Sequence, residues 1–287
     1  MTEQVQEQAE ARAQQQAQAL SPDEVGEVYD EKGWLWEIFM GQNLHIGWWD
    51  DEAPGTDPKD RLTDVLIEQV ALRPGQHLLD VGCGQGRPAL RLAEASGGEV
   101  TGITVSAEQV AAGTEAAAGA GLADRVRFAL ADVSELPYAD GEFDAAWAME
   151  SLMYLGDRPA ALREIARVLK PGGVFVLSDY VESAELDEEW RKVLLEGFTV
   201  GSLPTAEQYA EMITAAGLTV ERNFDATAHL RRSAARIDQL VADNYDKVVE
   251  KGGLQFAEEF KEMIGRVSKL ERDMLGYSVI TVRKPLA

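Results

Sequence analysis

Cysteine is nearly missing from this chain of 287 residues: Cys83 stands alone. No internal disulfide can form and no cysteine-based metal site can be assembled, so stability must come from a packed core. Histidine is scarce too, with three in total, and none falls between His77 and His229; no metal site is expected. Basic residues are outnumbered, 27 lysines and arginines against 50 aspartates and glutamates, for a formal net charge of -23. Such a surface repels phosphate backbones and anionic lipid, and no basic stretch compensates, which argues against nucleic-acid and membrane partners. No apolar run approaches the roughly 18 residues of a membrane span. The opening Met-Thr-Glu-Gln supplies neither a basic nor an apolar stretch for a secretion signal, so a cytoplasmic, reducing location is expected.

What is present is enough for a core, since apolar residues make up 45% of the chain. Residues 1–20 carry seven glutamines and five alanines and little to bury. They read as a frayed polar helix or disordered arm, or as an arm that orders against a second copy in a homo-oligomer. Ser21-Pro22-Asp23-Glu24 has the form of a helix start, with Ser21 as cap and Glu24 as the capping-box acid. An aromatic cluster follows, Tyr29, Trp34, Trp36, Phe39, Trp48 and Trp49, within a segment (21–75) expected to be a helical lid. From residue 76 short apolar runs alternate with helical stretches: strands are expected at 77–81, 100–105, 126–131, 143–149 and 174–178. Residues 187–216 and 231–272 read as helical, with strands at 218–224 and 277–282. That alternation predicts an α/β fold with a mostly parallel sheet and helices on both faces. The expected division is a core over 76–182, and remaining core strands with a helical acceptor-binding cap over 183–287.

The sharpest local feature is Asp80-Val81-Gly82-Cys83-Gly84-Gln85-Gly86, after a strand and before a helix. Glycines there let the backbone turn tightly and approach a ligand that side chains would exclude. A dinucleotide fingerprint would need a third glycine at Arg87 and an acid near the end of the second strand. That neighbourhood reads Gly102-Ile103-Thr104-Val105, so a nicotinamide cofactor fails on both counts.

The loop resembles the first motif of the class I S-adenosylmethionine-dependent methyltransferases. Further stretches match later motifs of that family in order: Ala131-Asp132-Val133, Leu136-Pro137-Tyr138, Phe143-Asp144 and Leu169-Lys170-Pro171-Gly172-Gly173. The resemblance covers roughly residues 25–284. Asn43 to Trp49 and Trp147 to Leu152 look like the small-molecule branch, which includes ubiquinone-type, sterol-type and antibiotic-tailoring, rebeccamycin-type sugar O-methyltransferases. The resemblance implies a doubly wound, seven-stranded sheet with an N-terminal helical lid and helical cap insertions. It implies S-adenosylmethionine as cofactor and S-adenosylhomocysteine as product. It places Tyr29, His45, Ile46, Asp80, Gly82, Gly84, Gly86, Asp132, Val133 and Met149 at the cofactor. Where most relatives carry an acid for the ribose hydroxyls this chain has Thr104, so Thr104 and Gln109 are expected to serve instead.

Transfer to a hydroxyl usually needs a general base, and the candidates are His45, Glu150, Tyr154 and Asp179. His77 reads as a solvated strand end, and His229 as a substrate contact or a plain cap residue. The O-methylating relatives usually place one or two histidines after the segment ending at Leu152, and here Met153 and Tyr154 follow. Carbon methylation of an alkene needs no prior deprotonation, only an apolar pocket whose aromatic faces tolerate a transient cation. Trp34, Trp36, Phe39, Trp48, Trp49, Tyr154 and Phe198 could line one. The expectation is therefore methylation of a small specialised metabolite, with an apolar or prenylated carbon acceptor slightly ahead of a sugar or phenol oxygen. A cyclase that keeps the cofactor without using its methyl group is the reading from another class.

Overall fold

The computed structural model describes residues 45–51 and 55–286, together with Leu35. The arm over 1–20 and the residues Tyr29, Trp34, Trp36 and Phe39 lie outside the described residues. Seven strands form one sheet: β1 (His77–Val81), β2 (Glu99–Thr104), β3 (Val126–Leu130), β4 (Phe143–Met149), β5 (Leu169–Glu182), β6 (Thr219–Asp225) and β7 (Leu275–Arg283). Their order is β3-β2-β1-β4-β5-β7-β6. β1 pairs in parallel with both β2 and β4, and β7 alone runs antiparallel, between β5 and β6. The expected doubly wound sheet is found.

Burial follows the pleat. Leu78, Val100, Ala145, Trp147 and Val176 share one buried cluster, while Leu79, Ile103, Ala146, Ala148 and Leu177 share the other. Alternate residues of each strand point to opposite faces, so both faces must be covered. On the first lie α1 (Pro58–Val70) and α2 (Arg87–Ser96), through Leu62, Leu66 and Leu92. On the second lie α4 (Arg158–Val168) and α6 (Ala206–Ala215), through Leu162, Ile165, Tyr209 and Ile213. α3 (Ala107–Gly119) packs beside β3, and α5 (Glu188–Phe198), α7 (Thr227–Gly252) and α8 (Leu254–Asp273) build the cap.

Helix starts follow local chemistry. Asp57 accepts from Lys59 N at 2.8 Å with Pro58 in the first turn, Ser106 caps α3 through Gln109 N, and Asp157 caps α4 through Ala160 N. Two expectations needed correction. The stretch 187–216 is two helices, α5 and α6, separated by a turn that ends at Pro204 and the Thr205–Gln208 capping box. The stretch 231–272 is likewise two, because the chain breaks at Gly252–Gly253, where Gly253 has φ 84°. Strand order reverses between β1 and β4, which opens a crevice at their carboxyl ends. Among the described residues no helix is long and apolar enough to cross a membrane, and no acid, His or Cys cluster could hold a metal ion.

Candidate active site

The crevice holds a cleft of about 1240 Å³, counted to its open mouth. Its rim is the glycine loop. Gly82 N and Cys83 N both donate to Ile103 O, at 2.9 and 3.0 Å, so the β1–β2 ladder continues into the turn. Gly82, Gly84 and Gly86 have φ of 73°, 53° and 86°, a region that favours glycine. A Cβ on Gly82 would lie 2.3 Å from Ser151 Cβ, and the Ser151 hydroxyl donates to Val81 O at 2.7 Å. Gly86 does not line the cleft. It opens α2, and a Cβ there would fall 2.3 Å from Phe128 Cζ.

The other expected residues are placed as follows. Asp80, Gly82, Gly84, Thr104, Gln109, Asp132, Val133 and Met149 line the cleft. The Thr104 hydroxyl donates to Gln109 Oε1 at 2.6 Å, so the two behave as one polar unit. Asp132 Oδ1 accepts from the amide and hydroxyl of Ser134, both at 2.8 Å. Asp80 is buried, and burial pushes its carboxyl up to about 7, while the Trp147 indole N–H nearby partly opposes this. That indole is outside hydrogen-bond geometry, and neither it nor Asp80 Oδ2 has a partner among the described residues. Ile46 stands just behind the wall and holds it through its amide, 2.7 Å from Glu150 Oε1.

Four side chains were candidates for proton transfer. His45 lines the cleft, but its Nδ1 donates to Ile46 O at 2.8 Å and its Nε2 lies 3.2 Å from the Thr63 hydroxyl. Burial lowers it to about 4, so the ring is neutral with both nitrogens engaged. Glu150 lines the cleft with φ 47°, and its Oε1 also accepts from the Tyr277 hydroxyl at 2.9 Å. Burial first, and then Asp179 and Glu271, raise its carboxyl to about 8. Tyr154 also lines the cleft, from the short turn Leu152–Tyr154, whereas Met153 is buried in the core. Asp179 is absent from the lining. Its Oδ2 accepts from the Tyr209 hydroxyl at 2.8 Å and its Oδ1 from Tyr180 N at 2.9 Å. Burial raises it to about 7.

The aromatic cage is not assembled among the described residues. Trp48 and Trp49 pack on α7, Phe198 packs edge-on against Tyr180, and of the four described members of the expected set Tyr154 reaches the cleft. His77 sits at the far end of β1, 2.8 Å from the Thr101 hydroxyl. Residues not anticipated include Cys83 and Gln85, inside the loop itself, and Ser151, Leu155 and Gly156. Ser151 follows Glu150 directly, and its signal was the need for a small partner opposite Gly82.

A methyltransferase-domain family model matches residues 79–177. A 27-O-demethylrifamycin SV methyltransferase of Amycolatopsis mediterranei is 38% identical over 272 residues, 92% of this chain and 98% of that protein. The chain belongs to the class I S-adenosylmethionine-dependent methyltransferases. A (+)-O-methylkolavelool synthase of Herpetosiphon aurantiacus is 32% identical over 75% of this methyltransferase and 77% of its own length. Among solved structures the cyclase SpnF superposes with a TM-score of 0.81 at 34% identity, covering 94% of this chain and 98% of that one. This protein is accordingly a methyltransferase of secondary metabolism that uses S-adenosylmethionine. The cleft suits that cofactor. Its glycine rim presents backbone at positive φ to the cleft, and Asp80 Oδ2 is buried beneath it with no partner among the described residues. No lysine or arginine is among the described lining residues, which suits the sulfonium and ammonium of the cofactor.

Proposed function

We propose that this methyltransferase acts on a hydroxyl oxygen of a small, uncharged, largely apolar specialised metabolite. The observation that carries the reading is the end-to-end similarity to the 27-O-demethylrifamycin SV methyltransferase, whose name specifies an oxygen-linked methyl group. An uncharged acceptor is supported by the described lining beside Glu150 and Tyr154, where Val133, Met149 and Leu155 are apolar and no lysine or arginine faces the cleft.

The cofactor supplies an electrophilic methyl on sulfur; the residues then position and desolvate. In our reading Asp80, Gly82, Gly84, Asp132, Val133 and the Thr104–Gln109 pair hold the cofactor, and Tyr154 and Glu150 face the acceptor. The acceptor oxygen bonds the methyl carbon as the carbon–sulfur bond breaks, the electron pair staying on sulfur, and the hydroxyl proton is released. With both His45 nitrogens engaged and Asp179 tied to Tyr209, neither of these described candidates is poised as an ionised base before attack. Deprotonation accompanies or follows bond formation, when the attacked oxygen becomes acidic, and catalysis rests on proximity and exclusion of water. Asp179 is assigned a supporting role behind the cleft.

The same lack of a poised base favours carbon methylation as a second reading. The experiment is an assay with methyl-labelled S-adenosylmethionine on panels of macrocyclic and terpenoid alcohols and the matching alkenes. Label recovered in a methoxy group is the expected outcome, and carbon-bound label would overturn it. An isomerised product without release of S-adenosylhomocysteine would identify a cyclase.

A further inference from the structure

Residues 45–51 have no regular secondary structure, yet they are gripped on three sides. Inward, His45 lines the cofactor cleft and Ile46 N reaches Glu150. Below, Trp48 N donates to Pro58 O at 2.7 Å, at the first residue of α1. Outward, the segment meets the first turns of α7. Gly47 N and Trp49 Nε1 both donate to the Ser233 hydroxyl oxygen, at 3.0 and 2.9 Å. Trp49 N donates to His229 Nδ1 at 2.9 Å, and the Trp48 ring stacks on the His229 ring, centroids 3.9 Å apart and planes 21° from parallel. Arg232 pairs with Asp51 at 2.8 Å. These partners are about 180 positions apart in sequence, so nothing local brings them together.

We infer that His229 and Ser233 are positioning residues for the cofactor cleft, holding the 45–51 strap against Glu150 so that α7 and the cleft wall act as one unit. A backbone amide that loses a half-buried acceptor is left unsatisfied, and the strap has no ladder of its own to take up the loss. Gly47 fits the gap because a Cβ there would lie 2.5 Å from Pro58 Cβ, so the strap cannot simply shift toward α1. Release at α7 therefore frees the strap outward, and His45 and Ile46 move away from the cleft with it. His229 accepts through Nδ1, so the strap requires that nitrogen unprotonated. The charged groups around the ring are Arg232 on α7, Asp50 and Asp51 on the strap, Arg61 of α1 beside Asp50, and Arg222 of β6 over Phe224. Burial and then Arg232 hold the imidazole below its ordinary value, so the strap stays fastened at neutral pH and loosens only in acid.

The test measures S-adenosylhomocysteine affinity by calorimetry, which depends on the cofactor and not on the acceptor proposed above. His229→Phe keeps a flat ring for Trp48 and removes the acceptor; His229→Asn keeps an acceptor and removes the ring. The expectation is a dissociation constant raised about tenfold in His229→Phe and in Ser233→Ala, and within about threefold of the parent in His229→Asn, the scale of one lost hydrogen bond. Amide exchange of Trp49 adds a readout that needs no ligand. Its protection, corrected for intrinsic rate, should hold at neutral pH and fall as the pH drops below the ordinary imidazole value of about 6.5 in the parent, and be low throughout in His229→Phe. Unchanged affinity in both His229→Phe and Ser233→Ala would overturn the inference. So would a loss in His229→Asn as large as in His229→Phe, since stacking and not the acceptor would then hold the strap.

Discussion

Gly82 joins backbone strain to close approach. At φ 73° an L side chain is unfavourable, and its Cβ would meet Ser151 at 2.3 Å, with Ser151 itself tied to Val81 O. Gly82→Ala must therefore push Ser151 out or bend the loop into the cofactor's path. The expected result is S-adenosylhomocysteine binding weakened at least about fivefold, at a cost of roughly 1–3 kcal/mol; calorimetry giving the parent's affinity would refute this account of the loop. Residues of this kind were legible in the sequence because the loop is continuous: one turn brings Asp80, Gly82 and Gly84 to one wall. Asp179 was harder. It belongs to a strand, where neighbours point to opposite faces, and the motif does not state which. Tyr180 joins the α2 side, whereas Asp179 shares its parity with Leu177 and Val181 and meets Tyr209 of α6. His45 was read as a lid residue near the cofactor, and it does line the cleft; its engagement by Ile46 O and Thr63 depends on contacts that sequence spacing does not disclose.

Elements were read best where one local signal decides them. The strands of the core show as short apolar runs bounded by turns, whereas the helix at Pro58 was hidden in a stretch, 50–60, whose prolines and glycine read as a loop. The cap was read less well, because its helices are set by how they pack on each other. α5 lies against α8 through Gly197, where a Cβ would be 2.3 Å from Val267 Cγ2. In an exposed helix Gly→Ala raises helix propensity, by up to about 1 kcal/mol. Here the contact reverses the sign. Gly197→Ala should lower stability by roughly 1–3 kcal/mol through overpacking, and adding Val267→Ala should recover part of that loss by making room. Thermal melts of the two single variants and the double variant test it. Strict additivity would mean that the helices do not meet at this pair. The interruptions within the cap also had local causes, Pro204-Thr205 and Gly252-Gly253, but each was submerged in a longer apolar periodicity.

At the scale of the whole molecule, burial shuts four of the described acids away from water. Asp80, Asp179 and Glu271 are raised to about 7 and Glu150 to about 8, in each case chiefly by burial. Tyrosines meet three of them, Tyr277 at Glu150, Tyr209 at Asp179 and Tyr180 at Glu271. In the unfolded chain these carboxyls ionise near pH 4. A folded value above the unfolded one means that the folded state binds more protons between the two. Stability from these groups is therefore complete below about pH 4 and is lost as pH rises through about 7 to 8. The formal charge of -23 acts in the same direction, since self-repulsion grows as acids ionise. The ligand-free protein should thus melt at a higher temperature near pH 6 than near pH 8.5 at constant ionic strength, and Asp179→Asn or Glu271→Gln should flatten the slope. Melting that is level or rises across that window would contradict the assignment of these carboxyls as neutral in the fold. Cofactor binding should run the other way. A cationic ligand in a cleft lined by Asp80 and Glu150 favours their ionised forms, so S-adenosylmethionine binding releases protons and tightens from about pH 6 to about pH 8. Calorimetry in buffers of different ionisation enthalpy would detect those protons. Their disappearance in Asp80→Asn, with the remaining affinity no longer rising with pH, would trace the release to the carboxyl at the end of β1.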